Sequence, residues 1–122
     1  MKKILIAEDD KDIREMLKTR LEKTGFSVKA ASNGKEALIL AKNFHPDLVL
    51  LDIAMPELDG YQACEKLKQD ADTKDIDVLF LTGKDLDPAG MLKRCEELGA
   101  CGYIANPHTF EELLEKIKEV MK

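Results

Sequence analysis

The stretch DLVLLDIAMPELDG, from Asp47 to Gly60, decides the fold. Leu48, Val49, Leu50 and Leu51 form an unbroken apolar run of strand length. Such a run suits a strand covered on both faces, as in a parallel sheet. It ends on a carboxylate, Asp52. In an open α/β sheet, the carboxyl end of a strand is where ligands bind. Met55-Pro56 and Asp59-Gly60 are breaker signals, so the chain turns after Asp52 and then enters a helix.

Outward from this stretch the same unit repeats. Lys3 to Ala7 reads as a first strand closing on Glu8-Asp9-Asp10. Ile13, Met16, Leu17 and Leu21 mark the apolar stripe of a first helix, which Thr24-Gly25 ends. Phe26 to Ala31 is a partly alternating second strand, suited to an edge. A second helix opens at Asn33-Gly34, runs through Ala37, Leu38, Ala41 and Phe44, and stops at His45-Pro46. After the central stretch, Tyr61, Cys64 and Leu67 mark a third helix, and Ala71 to Asp75 a polar loop. Asp77 to Thr82 is a fourth strand. Asp87-Pro88 caps a fourth helix that ends at Leu98-Gly99. Cys101 to Ala105 is a fifth strand. Thr109 to Glu112 has capping-box spacing, and Phe110, Leu113, Leu114, Ile117 and Val120 stripe the last helix. Five βα units give an α/β fold, a doubly wound parallel sheet in the order 2-1-3-4-5. The chain, residues 1–122, reads as one domain.

Composition limits the function classes. The 122 residues carry a formal net charge of -5, which speaks against direct nucleic-acid binding and against an anionic membrane surface. No apolar run approaches the roughly 18 residues of a membrane span, and Glu8-Asp9-Asp10 interrupts the opening apolar stretch too early for a secretory leader. A cytoplasmic location is expected. Cys64, Cys95 and Cys101 lack CxxC spacing and read as buried free thiols.

The strands that border the crevice end in polar groups: Glu8-Asp9, Asp52, Thr82 and Asn106. Three carboxylates at close range repel, and without a counter-charge one of them tends to hold a proton. A hard divalent cation with oxygen ligands, Mg²⁺, resolves the repulsion. Asp52 is then placed to act as a nucleophile that becomes an acyl phosphate, and Thr82 offers a hydroxyl to a phosphoryl oxygen. The competing reading of the acid run is a helix cap; that of Thr82 is a common strand end. Tyr103 reads first as a packed, half-exposed strand residue, and His45 and His108 as surface loop residues.

The segments ILIAEDD, LVLLDIAMPELDG, FLTG and GYIANP, in this order at four strand ends, resemble the receiver domain of two-component response regulators. The resemblance covers essentially the whole chain and implies a flavodoxin-like fold. It implies that Asp52 is the phosphoacceptor, supplied by the phosphohistidine of a partner histidine kinase or phosphotransfer protein. Asp9, Asp52 and the backbone carbonyl of Ala54 would hold Mg²⁺, with Glu8 reaching it through water. Thr82 and Tyr103 would form a switch pair. The fourth helix, fifth strand and fifth helix would be the surface that a downstream protein reads. No enzyme activity beyond self-catalysed phosphorylation and dephosphorylation of Asp52 is implied.

One departure stands out. The family has Lys-Pro after the fifth strand, and this chain has Asn106-Pro107, followed by His108. Asn106 donates a hydrogen bond but carries no charge, and charge-assisted bonds are worth about 1.5–3 kcal/mol against about 1 for neutral ones. Asn106 therefore motivates an alternative: a degenerate receiver that serves as a phosphorylation-independent interaction module. An aspartate-nucleophile phosphohydrolase fits less well, because Ala54 stands where a second acid would be.

Overall fold

The computed structural model describes residues 1–83, 87–105 and 108–121. Ten elements alternate: β1 (Lys3–Ala7), α1 (Lys11–Thr24), β2 (Ser27–Ala31), α2 (Gly34–Phe44), β3 (Leu48–Asp52), α3 (Gly60–Gln69), β4 (Asp77–Thr82), α4 (Pro88–Leu98), β5 (Gly102–Ala105) and α5 (Phe110–Val120). All strand pairs are parallel, and the sheet runs β2-β1-β3-β4-β5, the order expected from the sequence.

Side-chain alternation along the strands splits the core into two layers. Leu5, Ala7, Val49, Leu51, Val78 and Phe80 pack with buried residues of α2, α3 and α4. Ile4, Ile6, Leu48, Leu50, Leu79 and Leu81 pack with Leu17 and Leu21 of α1 and Leu113 and Ile117 of α5. This is why Leu48 to Leu51 needed no polar alternation: all four are fully buried.

The helices begin and end where their caps dictate. Asp10, Asn33, Asp59, Asp87 and Thr109 each accept backbone amide hydrogens of the following turn. Gly25 and Gly99 close α1 and α4 in the left-handed region. The α1 closure accounts for one boundary: the Phe26 amide donates to the Leu21 carbonyl at 3.2 Å, so the second strand starts at Ser27, not Phe26. The fifth strand begins at Gly102, although the Cys101 amide already donates to the Val78 carbonyl at 2.8 Å.

Other expectations need correction. Ile13 and Met16 lie on the rim of the α1 stripe and are exposed, whereas Leu17 and Leu21 carry the packing. Cys64 and Cys95 are buried free thiols, but Cys101 is exposed. The polar loop between α3 and β4 hides a tether: the buried Thr73 hydroxyl donates to the Leu67 carbonyl at 2.7 Å. Lys68 adds Nζ bonds to the carbonyls of Lys74 and Ile76. His45 is exposed, but His108 is half-buried.

The loop from Ile53 to Asp59 is pinned by two glycines. A methyl at Gly60 would lie 2.5 Å from the Asp52 carbonyl oxygen and 2.7 Å from the Ile53 Cα. A methyl at Gly34, at the start of α2, would run into the Leu58 backbone. Both obstacles are main chain and cannot swing aside, so Gly60→Ala and Gly34→Ala should each destabilise by about 1–3 kcal/mol, as overpacking does. Urea unfolding checks this: a midpoint equal to that of the wild type in both variants would refute the close approach.

Candidate functional site

The site forms where the sheet order reverses. From β1 the chain moves outward to β2, then returns to β3 on the other side of β1. The carboxyl ends of β1 and β3 therefore border one crevice. Glu8 continues the β1 ladder, its amide donating to the Ala31 carbonyl at 3.1 Å. Its side chain lies on the Ile6 side and is 7% exposed. Asp52 ends β3 opposite Leu81 and is half-buried, while Asp9 is exposed.

The Glu8-Asp9-Asp10 run divides its labour. Asp10 is the α1 cap, its Oδ1 accepting the amides of Asp12 and Ile13 at 2.9 and 3.1 Å. Glu8 and Asp9 turn towards Asp52, and one carboxylate oxygen from each of the three lies within 4.8 Å of the others. The capping reading and the site reading thus apply to different residues of the same run.

The electrostatics follow from this crowding. Burial raises the Glu8 carboxyl to about 8, and the neighbouring Asp52 carboxylate adds to the rise. Burial also raises Asp52, against the lowering effect of its hydrogen bonds with Glu8 and with the Ala54 amide, the latter at 3.3 Å. Glu8 is therefore the group that keeps a proton when no cation is bound. An all-oxygen donor set with an unmet demand for positive charge suits a hard divalent cation.

The supporting shell was not legible as such. Arg14, in the first turn of α1, donates from Nη1 to the carbonyls of Glu8 and Asp9 at 2.8 and 3.3 Å. It fixes the backbone that aims the two acids. In the sequence it is one more charged residue between apolar positions, and only its place in the turn after the acids hinted at this. After β3, the Gly60 amide donates to the Ile53 carbonyl at 2.9 Å, and the Met55 amide donates to the same oxygen at 3.1 Å. The Ala54 carbonyl accepts no hydrogen bond among the described residues.

Thr82 is 1% exposed, and its hydroxyl donates to the adjoining Gly83 carbonyl at 3.2 Å. Alternation puts it on the face of Phe80 and, through the pairing of β4 with β5, of Tyr103. Tyr103 is half-buried against the α2–α4 layer, the packed strand residue expected. Asn106 and Pro107 lie outside the described residues.

Because the Glu8 carboxyl binds its proton more tightly in the folded state than at its ordinary value of 4.5, the folded state loses stability as pH rises between about 4.5 and about 8. The loss is absent below that window and complete above it. In metal-free buffer at pH 8, Glu8→Gln should raise the melting temperature by several degrees, at roughly 4 °C per kcal/mol of relieved repulsion. The gain should shrink towards pH 5. Calorimetry at both pH values checks it, and a lower melting temperature at pH 8 would contradict the crowding.

Residues 4–118 match the family described as the response regulator receiver domain. The chain is 39% identical over 122 residues to the probable transcriptional regulator ycf27 of Porphyra purpurea, covering 98% of this chain and 47% of that protein. It is 38% identical to the response regulator MprA of Mycobacterium sp. (strain KMS), covering 98% and 50%. It thus spans about half the length of these curated relatives. Among solved structures, the Vibrio cholerae chemotaxis protein CheY4 superposes with a TM-score of 0.90 at 28% identity, covering 98% of each chain. The non-phosphorylated HemR receiver domain of Leptospira biflexa gives 0.88 at 33%, covering 100% and 95%. A family match over nearly the full chain, together with these two folds, shows that the chain belongs to the response regulator receiver domains of two-component signalling.

Proposed function

We propose that this receiver domain is a switch set by phosphorylation of Asp52. Response regulators work with histidine kinases and downstream effectors, and the donor here is the phosphohistidine of such a kinase or of a phosphotransfer protein. An Asp52 carboxylate oxygen attacks phosphorus, the P–N bond to the donor imidazole breaks, and its electron pair returns to that nitrogen. The acyl phosphate is later lost to water, so the chain acts as a signalling device without an external substrate to turn over. The observation that carries this reading is the meeting of Glu8, Asp9 and Asp52 within 4.8 Å at the topological switch point.

Asp9, Asp52 and the Ala54 carbonyl, with Glu8 beside them, are the groups that would hold Mg²⁺. When bound it neutralises the charge that builds up between the carboxylates and the incoming phosphoryl group. Thr82 and Asn106 supply neutral hydrogen bonds to phosphoryl oxygens. Thr82 drawn to the phosphate leaves room for Tyr103, on the same sheet face, to turn inward. The downstream protein then reads the surface of α4, β5 and α5. Residues 1–122 act as one such unit in the cytoplasm, without direct contact to nucleic acid or membrane, in keeping with the net charge of -5.

Intact-mass analysis after incubation with acetyl phosphate and Mg²⁺ tests the reading. The wild type should gain about 80 Da, the mass of one phosphoryl group, in a base-labile form, and Asp52→Asn should gain nothing. No gain in the wild type under saturating donor rejects the switch. It favours the phosphorylation-independent module that Asn106 first suggested.

The neutral Asn106 gives a second expectation. A charge-assisted bond exceeds a neutral one by roughly 1 kcal/mol, about fivefold in an equilibrium. Asn106→Lys should strengthen the coupling between phosphorylation and the Tyr103 surface by about that factor. The ratio of partner affinities with and without phosphodonor measures it, and an unchanged ratio contradicts the role of Asn106.

A further inference from the structure

One aromatic side chain joins the segment carrying Asp52 to the helix proposed as part of the output surface. Tyr61 is the second residue of α3 and follows Gly60, where even a methyl would run into the Asp52–Ile53 backbone. Its ring meets Phe80 of β4 edge-on, with centroids 5.4 Å apart and planes at 74°. The Tyr61 hydroxyl donates to the Met91 sulfur of α4 at 3.1 Å. The Arg94 guanidinium, also on α4, lies over the ring, 4.3 Å from its centroid. Met91 is 3% exposed, so α4 is fastened here from inside as well as outside.

These contacts differ in kind. The edge-on ring pair and the cation over the ring are directional as well as adhesive. A small rotation of the first turn of α3 therefore changes the angle at which Tyr61 meets three partners at once. Gly60 leaves no room for such a rotation to be absorbed at a side chain, since even a methyl there would run into the main chain of Asp52 and Ile53. The proposed Thr82–Tyr103 pair is a neighbour of this contact: Thr82 stands two residues beyond Phe80 on β4, and Tyr103 lies opposite Phe80 on β5.

We infer that Tyr61 is a positioning residue that couples the state of Asp52 to the placement of α4 through the first turn of α3, alongside the Thr82–Tyr103 pair. The inference rests on the phosphoacceptor reading and adds a second route from that residue to the output surface. Neither Tyr61 nor Arg94 has a part in accepting the phosphoryl group, so substitution there leaves adduct formation intact.

The test uses the full chain with ¹³C-methyl methionine. Acetyl phosphate and Mg²⁺ are added, and two quantities are read in the same sample: the mass gain on Asp52 and the displacement of the Met91 methyl resonance. In the wild type both should appear. Tyr61→Phe, which keeps the ring and removes the hydroxyl, should keep the mass gain and lose most of the displacement. Arg94→Gln changes an exposed side chain and should reduce the displacement without touching the mass gain; it decides the matter if Tyr61→Phe fails to fold. Full displacement in Tyr61→Phe or in Arg94→Gln overturns the inference. A mass gain with no Met91 response in the wild type overturns the inference alone. No mass gain in the wild type removes the phosphoacceptor reading and the inference with it.

Discussion

Like charges repel, and this fold gathers three carboxyl groups at one strand-end site while withdrawing two of them, Glu8 and Asp52, from much of the water. Everything distinctive about the molecule follows from that constraint. In water the repulsion would be mild, because solvent screens it; at the end of a buried sheet it is strong. Burial first, and then the neighbouring Asp52 carboxylate, raise the Glu8 carboxyl to about 8, so Glu8 meets the repulsion by retaining a proton. The arrangement is therefore poised: it accepts a proton, a cation, or a cation together with an anion, and each choice alters the charge beside Asp52.

Such a pocket has to be held together by something other than its own side chains. The sheet supplies most of that. Strands β1 and β3 are adjacent and paired in register from Ile4 with Leu48 to Ala7 with Leu51, so the residues that follow them emerge side by side. Main-chain packing supplies the rest. Arg14 ties down the carbonyls behind Glu8 and Asp9, and the two glycine contacts press the loop after β3 against its neighbours. Backbone against backbone is stiff, because nothing in it can change rotamer. A site of repelling groups needs that stiffness more than it needs additional bonds.

The periodicity of the sequence exposed the architecture because each element obeys one simple rule. Strands buried on both faces are apolar throughout, helices carry a stripe, and capping residues mark the joints. Asp52 was legible for the same reason, as the lone acid ending a wholly apolar run. Glu8 and Asp9 were legible as the acids at the crevice, but that Asp10 alone serves as the cap was not, since that depends on where the first turn of α1 begins. The exposure of Ile13, Met16 and Cys101 was hidden because a stripe has edges, and sequence alone does not say how wide the covering is. Arg14, Lys68 and Thr73 escaped notice since each satisfies main-chain carbonyls, those of a loop for Arg14 and Lys68 and that of Leu67 in α3 for Thr73, a role with no signature of its own. Tyr61 was visible only as one more member of an apolar face.

The two outer strands carry a consequence for how this module meets others. β2 places the exposed Lys29 at its centre, and β5 is only four residues long. A charged, short border is a poor template for an incoming strand. Proteins that engage it are thus steered away from extending the sheet and towards reading side chains on the helices, where affinity is set by shape and charge. Recognition of that type can be retuned residue by residue without disturbing the hydrogen-bonded frame beneath, which lets closely similar modules share one scaffold and still keep separate company.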